Sequence, residues 1–253
     1  MKVAACQLLE IRNDLSCAMA SIRAQTLAAE RAGANLVCFP ECFVQGYSVD
    51  PAHVADVALD LSSPAFHDLL EELKPLEPVI VVGLIEKQGG HFYNTALAIE
   101  RGMVVARYRK THLLRGEQVV FRPGDAFPVF DVFGAKVGIN ICYDLNFSES
   151  VRRASDAGVT LLACPCSNMM RRDAAEEWKP RHNEIRARQA RDHGVWILSA
   201  DITGERGGYV SYGPTAVIDP SGTVVAQVPL SETGMVMAEI DHSPQGSGPR
   251  GNT

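Results

Sequence analysis

Residues 137–147 read VGINICYDLNF, an apolar run that closes on a cysteine and then turns at once into polar residues. Gly138 lies near its start, and Asp144 and Asn146 follow it, which is the pattern of a strand that enters a turn. Ligands usually approach an α/β sheet where its strands end. Free cysteine is, however, among the most buried residue types, so Cys142 taken alone is better explained as a packing residue. The rest of the chain has to decide between these two interpretations.

Strand and helix patterns alternate around this stretch nearly to the end of the chain. Alternation of this kind predicts an α/β fold in which helices cover the faces of sheets. It does not separate a three-layer doubly wound sheet from two stacked sheets with outer helices, but hairpin signals at Gly89-Gly90 and Arg101-Gly102 favour the stacked sheets. The predicted strands include 2–9, 35–39, 79–85, 92–99, 103–108, 129–132, 136–142, 159–163, 195–200 and 235–240, and the predicted helices are 14–32, 64–73, 148–157 and 178–193.

Chain length and composition indicate one globular domain. A chain of 253 residues can bury one large core, and no repeat, long linker or change in composition divides it. We therefore predict a single domain over residues 1–242. The segment 243–253 is rich in Gly, Ser and Pro, and we expect it to be a tail that is mobile or packs on a neighbour.

Charge and cysteine content argue against several function classes. The 24 basic and 30 acidic residues give a net charge of −6, which disfavours general nucleic-acid binding. No apolar run reaches the roughly 18 residues of a membrane-spanning helix, and the N-terminus lacks a secretory signal. The seven cysteines form an odd, scattered set without a Cys-x-x-Cys pair, and the histidines complete no zinc-finger spacing. We therefore expect reduced thiols, a cytoplasmic location, no bound metal and no membrane partner.

Three residues with reactive side chains follow or close apolar strand patterns. Glu41 and Lys110 each come two residues after a predicted strand, and Cys142 closes a third strand. If these strands lie side by side, the three groups converge at one rim of the sheet. A carboxylate can then take the proton of the thiol, and an ammonium can stabilise both the thiolate and a later oxyanion. Taken one at a time, the glutamate and the lysine fit equally well as solvated turn residues.

Three ordered segments carry a resemblance to a known family. Residues 39–47 (FPECFVQGY), 108–125 (YRKTHLLRGEQVVFRPGD) and 137–150 (VGINICYDLNFSES) are similar to the signature segments of the nitrilase, or carbon–nitrogen hydrolase, superfamily. The likeness extends from residues 2–7 to residues 212–226 and so covers nearly the whole chain. The resemblance implies an α/β four-layer α-β-β-α sandwich of the nitrilase type, at least a homodimer, and no metal or organic cofactor.

The resemblance also implies roles for individual residues. Glu41, Lys110 and Cys142 fall on the family's catalytic glutamate, lysine and cysteine, with Cys142 as the nucleophile and Glu41 as the base. Glu117 matches a second glutamate that many amidase-type members have near the site, and we expect it to position the substrate or Lys110. The backbone N–H of Tyr143 is expected to stabilise the oxyanion together with Lys110.

Further pocket candidates lie around these residues. Ser167 and Asn168 occupy a position that resembles the family's pocket-lining loop, and Tyr47 follows the first motif and is a candidate for the pocket wall. Ordinary turn or packing roles stay open for all three. Asn146 stands where many Nit-like and ω-amidase-type members have an arginine, and it either faces the pocket or braces the turn into the next helix.

Other cysteines and arginines are assigned to structure rather than to chemistry. Cys164 and Cys166 lie outside the three motifs, and we interpret them as packing residues. The helix predicted over 178–193 is basic, and we interpret its arginines as a solvated or subunit-facing surface rather than as a nucleic-acid site.

The leading hypothesis is an amidase that cleaves the carbon–nitrogen bond of a small linear amide through a thioester intermediate, with a small molecule as its partner. The same machinery could hydrolyse an N-carbamoyl amine or a nitrile. Nitrile-cleaving members typically have Trp-Glu after the cysteine, whereas Tyr143-Asp144 resembles the amidase branch, so we rank amide first, carbamoyl amide second and nitrile third. An alternative of another class is a redox-responsive scaffold protein, which the intact Glu41, Lys110 and Cys142 disfavour.

Overall fold

The computed structural model describes residues 1–241, and no helix in this range is long and apolar enough to cross a membrane. The predicted tail 243–253 and the end of the predicted domain at 242 lie outside the described residues. The α-helices are α1 (Leu15–Arg31), α2 (Pro51–Val57), α3 (Pro64–Leu73), α4 (Ser148–Asp156), α5 (Arg172–Trp178) and α6 (Arg181–His193). The β-strands are β1 (Lys2–Leu9), β2 (Leu36–Cys38), β3 (Val79–Gln88), β4 (His91–Glu100), β5 (Met103–Arg109), β6 (Val129–Val132), β7 (Ala135–Ile139), β8 (Leu161–Pro165), β9 (Met170–Arg171), β10 (Trp196–Arg206), β11 (Tyr209–Tyr212), β12 (Ala216–Ile218), β13 (Val224–Gln227) and β14 (Gly234–Glu239). Two short 3-10 helices span Glu117–Val119 and Cys142–Asn146.

The strands form two sheets that share one long strand, β10. Its first half pairs in parallel with β8, where Ile197 lies opposite Leu162, and its second half pairs in parallel with β1, where Asp201 lies opposite Gln7. The first sheet has the order β5-β4-β3-β2-β1-β10, and the second continues from β10 through β8 and β7 to β6. Antiparallel hairpins join β3 to β4 and β4 to β5, as the two glycine-containing turns predict.

The two sheets stack face to face and carry helices on their outer faces. Successive residues of a strand point to opposite faces, and β1 shows both environments. Val3 and Ala5 lie in the core between the sheets, whereas Ala4 and Cys6 pack in the cluster that includes α1 and α3. On the far side, Leu162 of β8 packs with residues of α4 and α6. The predicted four-layer α-β-β-α sandwich is therefore confirmed.

Most predicted helices agree with the structure, and the exceptions have local causes. Asp14 caps α1 by accepting a hydrogen bond of 2.8 Å from the N–H of Cys17. The single helix predicted over 178–193 is wrong, because Pro180 lies between α5 and α6 and has no N–H to continue a helix. α4 begins at Ser148, where the pattern predicts it, without a side-chain cap. No pattern predicted α2, β9 or β11.

Strand direction brings four connecting segments to one rim of the molecule. β1, β2, β3, β7, β8 and β10 all run in the same direction, and the antiparallel steps through β4 give β5 that direction too. The segments after β2, β5, β7 and β8 therefore leave the sheets at the same rim. In that order they carry Glu41, Lys110, Cys142 and Asn168.

Candidate active site

Lys110 lies between two carboxylates inside this rim. Its Nζ donates a hydrogen bond of 2.7 Å to Oε1 of Glu41 and another of 2.7 Å to Oε1 of Glu117, and all three side chains are at most 1% exposed. Burial alone would lower the pKa of Lys110, but the charges of Glu41 and Glu117 outweigh it and raise that pKa well above its usual value. Lys110 is therefore a cation throughout the physiological pH range.

Asn94, which sequence reasoning missed, connects the same two carboxylates. It is buried in β4, and its Nδ2 donates to Oε1 of Glu41 at 2.7 Å and to Oε1 of Glu117 at 3.2 Å. Burial raises the pKa of Glu41 above its usual value, against the opposing charge of Lys110. A carboxylate with a raised pKa takes up a proton more readily, which is the property that a general base requires.

The turn that carries Glu41 fits against β3 because that strand has a glycine at the point of contact. A Cβ atom on Gly83 would lie 2.7 Å from Cα of Glu41 and 2.7 Å from the carbonyl oxygen of Pro40. Any larger residue would therefore displace the turn. The N–H of Glu41 also donates to the carbonyl of Cys166 at 3.1 Å, which ties this turn to the end of β8 in the second sheet.

Cys142 begins the 3-10 helix after β7, with a backbone φ of +41° that disfavours residues other than glycine. The buried carboxylate of Asp144 holds this turn by accepting from the N–H groups of Ile141 at 3.0 Å and His112 at 2.8 Å, and from the hydroxyl of Tyr108 at 2.8 Å. Burial alone would raise the pKa of Asp144, but its hydrogen bonds lower it below the usual value. The turn of Cys142 is thus tied to the segment that follows β5.

A second polar network contacts the thiol of Cys142. The thiol donates to Oδ1 of Asn168 at 3.5 Å, and Asn168 in turn donates from Nδ2 to Oδ2 of Asp201. Nη2 of Arg186 lies 3.5 Å from Oδ2 of Asp201 and 3.2 Å from Sγ of Cys166. All of these side chains except that of Cys142 are buried. The nucleophile candidate therefore contacts this second set of polar groups and lines a cavity together with members of both sets.

The Cys142 thiol is protonated at rest. The neighbouring Cys166 thiol raises the pKa of Cys142 well above its usual value, and burial and the charge of Glu41 raise it further, against Lys110. Attack by this sulfur therefore requires a base that removes its proton. The interpretation of Cys166 as a packing residue is incomplete, because its sulfur also contacts Arg186, whereas Cys164 packs in the core beneath α4 and α6.

The two networks meet at a cavity of about 180 Å³. All of the predicted site residues except Glu117 line it, and Glu117 contacts Lys110 from behind. The hydroxyl of Ser167 is buried without a hydrogen-bond partner in the described part of the chain, so it can bind a ligand there. The lining residues are Glu41, Tyr47, Lys110, Leu114, Cys142, Tyr143, Leu145, Asn146, Ser167, Asn168, Met169, Met170, Trp178, His182, Ile185 and Arg186.

The cationic side chains at this cavity are already committed to other groups. Lys110 is paired with its two carboxylates, and Arg186 is paired with Asp201 and donates to the carbonyl of Pro214 at 2.6 Å. Burial lowers the pKa of His182 to about 3, so its ring is neutral at pH 7. Within residues 1–241, no group of three or more His, Cys, Asp or Glu side chains is arranged to hold a metal ion.

Sequence reasoning missed Asp201 and Arg186 as well as Asn94. Asp201 directly follows the strand predicted over 195–200, so it carries the same strand-end signal as Glu41 and could have been found. The interpretation of the arginines in 178–193 as a solvated or subunit-facing surface is wrong for Arg186, which is 3% exposed. The only sign of Asn94 in the sequence is that a polar residue interrupts an apolar strand pattern, which is weak evidence for a functional residue.

Several known proteins are similar to this chain. A family model described as carbon-nitrogen hydrolase matches residues 2–247. A nitrilase of Pyrococcus abyssi (strain GE5 / Orsay) is 32% identical over 216 residues, which cover 84% of this chain and 79% of that protein. The omega-amidase NIT2 of Bos taurus is 30% identical over 226 residues, which cover 84% of this chain and 79% of that protein. Among solved structures, a mutant of the amidase from Nesterenkonia sp. AN1, with acrylamide added to its active-site cysteine, matches with a TM-score of 0.84 and 25% identity over 95% of this chain and 93% of that chain.

Proposed function

We propose that this chain, which belongs to the carbon–nitrogen hydrolase family, is an amidase that cleaves a small linear amide through a thioester on Cys142. The observation that carries the proposal is the buried Lys110 between Glu41 and Glu117, beside the cavity that Cys142 lines. A buried cation between two carboxylates suits a reaction that moves a proton and develops a negative oxygen. The amidases among its relatives support the same reaction class.

The first half of the proposed reaction forms the thioester. The thiol proton of Cys142 passes to Glu41, whose raised pKa suits it to accept and return a proton. The thiolate attacks the amide carbon, and the carbonyl oxygen takes up the electron pair. Lys110 and the backbone N–H of Tyr143 stabilise that oxygen, and Glu117 keeps Lys110 in position. Glu41 returns the proton to the nitrogen, and the carbon–nitrogen bond breaks to release ammonia or an amine.

The second half of the reaction uses the same residues to hydrolyse the thioester. A water molecule gives a proton to Glu41 as its oxygen adds to the thioester carbon, and Lys110 again stabilises the oxyanion. The carbon–sulfur bond then breaks, and the proton held by Glu41 returns to the sulfur of Cys142. The carboxylic acid leaves, and the free thiol is restored.

Product analysis combined with mass spectrometry tests this proposal. The protein is incubated with a linear primary amide, an N-carbamoyl amine and a nitrile of matched chain length, and ammonia and acid are measured. Peptide mapping after rapid acid quenching locates any acyl adduct. We expect ammonia and acid from the amide, with the adduct on Cys142. Cys164→Ala is the matched control, because it removes a buried thiol outside the cavity and should leave the adduct in place.

Three outcomes contradict parts of the proposal. Faster turnover of the carbamoyl amine or of the nitrile would replace the amide assignment with that class. An acyl adduct on another residue would reject Cys142 as the nucleophile. Oxidation of Cys142 without any product would favour the redox-responsive scaffold. The homodimer and the cytoplasmic location stay predictions.

A further inference from the structure

The side chain of Asn168 is held in one orientation by the carboxylate behind it. Nδ2 of Asn168 donates to Oδ2 of Asp201, and the backbone N–H of Asn168 donates to Oδ1 of Asp201 at 3.0 Å. An ionised carboxylate only accepts hydrogen bonds, so it can face only the NH₂ end of the amide. The other end, Oδ1, is therefore turned towards Cys142 at the cavity, where it lies 3.5 Å from Sγ.

Asp201 is itself held by several groups. The N–H of Ile202 donates to its Oδ1 at 2.9 Å, and Nη2 of Arg186 lies 3.5 Å from its Oδ2. Arg186 is anchored in turn through Nη1, which donates to the carbonyl of Pro214 at 2.6 Å. Asp201 is fully buried. A flip of the Asn168 amide would set its oxygen against this buried carboxylate, so the orientation of Asn168 is strongly determined.

The cavity that Cys142 lines therefore offers two opposite kinds of hydrogen-bonding group. Lys110 is a donor, which suits an oxygen that gains negative charge, and Oδ1 of Asn168 is an acceptor, which suits a group that carries hydrogen. A primary amide presents both partners on one carbon, a carbonyl oxygen and an N–H group. An ester has no N–H on that carbon, and a nitrile has none.

We propose that Oδ1 of Asn168 accepts a hydrogen bond from the substrate's amide nitrogen and thereby selects amides over esters and nitriles, an inference that rests on the proposed function. In the free protein this oxygen accepts from the thiol of Cys142. Once the thiol proton passes to Glu41, the oxygen loses that donor, and a substrate N–H takes its place. The bond strengthens when Glu41 protonates the nitrogen, because the donor is then charged. Asp201 and Arg186 act as positioning residues that keep the oxygen turned towards the cavity.

The test compares an amide with an ester of the same acid, at about pH 8.5, which lies above the pKa of about 7 to which burial raises Asp201. Acetamide, butanamide and hexanamide are screened, and the fastest is paired with the methyl ester of its acid. For Asn168→Ala we expect kcat/KM for the amide to fall about 30-fold, mostly through kcat, while the ester value stays within about threefold. Asp201→Asn gives position 201 an NH₂ group that can donate to Oδ1 of Asn168, so the Asn168 amide can flip and turn its NH₂ end towards the cavity. The ratio of the amide kcat/KM to the ester kcat/KM should therefore fall in this variant as well.

Asn146→Ala is the matched control, because it removes an amide from another wall of the same cavity, where Nδ2 donates to the carbonyl of Tyr143 at 3.3 Å. Its amide-to-ester ratio should stay within about threefold of wild type, whatever its effect on rate. Equal losses on both substrates in Asn168→Ala would reject the inference and leave the proposed function standing. If wild type hydrolyses none of the three amides, the proposed function is rejected and the inference with it. Asn168→Ala leaves the buried Asp201–Arg186 pair intact, so it decides the question even if Asp201→Asn does not fold.

Discussion

Two polar networks meet at the cavity that Cys142 lines, and they differ in the groups that they present there. In the first network the charged groups of Glu41 and Lys110 themselves line the cavity. In the second network Arg186 also lines the cavity, but it is paired with Asp201, and the neutral amide of Asn168 is the group that contacts the thiol. Proton transfer and oxyanion stabilisation require charged groups at the reacting atoms, whereas recognition of a neutral group requires an uncharged partner in one orientation. We interpret the first network as the one that moves charge and the second as the one that selects the substrate.

The largest effect is expected at the residue that both networks share. Cys142→Ala removes the proposed nucleophile and leaves both networks in place, so we expect kcat for the fastest amide to fall by at least about 10⁴-fold, or about 5 kcal/mol in barrier height. Circular dichroism should show an unchanged fold. Cys164→Ala should keep kcat within about threefold of wild type. Residual turnover of Cys142→Ala within about tenfold of wild type, a barrier change of only about 1.4 kcal/mol, would mean that another group attacks the substrate.

The two networks also differ in how far the sequence could predict them. Glu41, Lys110 and Cys142 each lie at or just after the end of a predicted strand within a recognisable motif. These strands run in one direction, β5 through two antiparallel hairpins, so their ends meet at one rim. Asp201 carries the same strand-end signal, but its partner Arg186 lies in a helix among arginines that are exposed. Which turn of that helix faces a buried carboxylate depends on how α6 packs on the second sheet, and no local spacing encodes this.

The fold was predictable where patterns are periodic and was missed where they are not. The alternation of strands and helices and the two glycine hairpins favoured two stacked sheets with outer helices, and the family resemblance implied the four layers. The role of β10 was not predictable, because the apolar pattern stops at residue 200 while the strand continues to residue 206. Backbone pairing with β1 and β11 keeps the polar second half of β10 in the sheet, and such pairing cannot be predicted from the alternation of apolar and polar residues.

The charged network can be broken by replacing one carboxylate at a time. Glu41→Gln and Glu117→Gln are matched, because each carboxylate accepts a hydrogen bond of 2.7 Å from Lys110 and a further one from Asn94. If Glu41 is the base, Glu41→Gln should lower kcat about 10³-fold, whereas Glu117→Gln should lower it only about tenfold through the position of Lys110. Steady-state kinetics on one amide gives both values. Equal losses would mean that both carboxylates serve only to hold Lys110.

The second network predicts a modest preference for substrates without a charge. With Lys110 and Arg186 already paired and His182 neutral, a substrate carboxylate in the cavity would lie without a free cation among the described lining residues. We expect kcat/KM for a neutral primary amide to exceed that for the monoamide of a dicarboxylic acid of equal length by about tenfold. Asn146→Arg, which adds a cation to the cavity wall, should shift the preference towards the acid. If wild type instead prefers the monoamide of the dicarboxylic acid by about 100-fold or more, about 2.7 kcal/mol, a charged group of the second network must bind the substrate carboxylate directly.

The smallest expected effect concerns His112, whose contacts stabilise the turn that carries Cys142. Nδ1 of His112 lies 2.9 Å from Oδ1 of Asp144, its Nε2 lies 3.5 Å from Oε1 of the exposed Glu149, and its ring stacks on Phe147 at 3.9 Å. The hydrogen bond to Asp144 raises the pKa of His112 above 6.5, against partial burial. The charge of His112 therefore stabilises the fold fully below its unfolded pKa of about 6.5, and this contribution is lost as pH rises through the higher folded pKa.

His112→Gln tests this contribution, because glutamine can still donate to Asp144 but carries no charge at any pH. We expect the variant to lower Tm by about 2 °C more at about pH 5.5 than at about pH 9, a small difference because the His112 side chain is partly exposed to solvent, which screens its charge. Asp144 stays ionised at both pH values, since its pKa lies below the usual 3.8, so it does not contribute to the difference. Glu149→Gln is the control for the weaker contact between His112 and Glu149, and it should shift Tm by less than His112→Gln does at either pH. A loss in His112→Gln that is equal at the two pH values, or larger at the higher one, would mean that stacking on Phe147 rather than charge holds the turn.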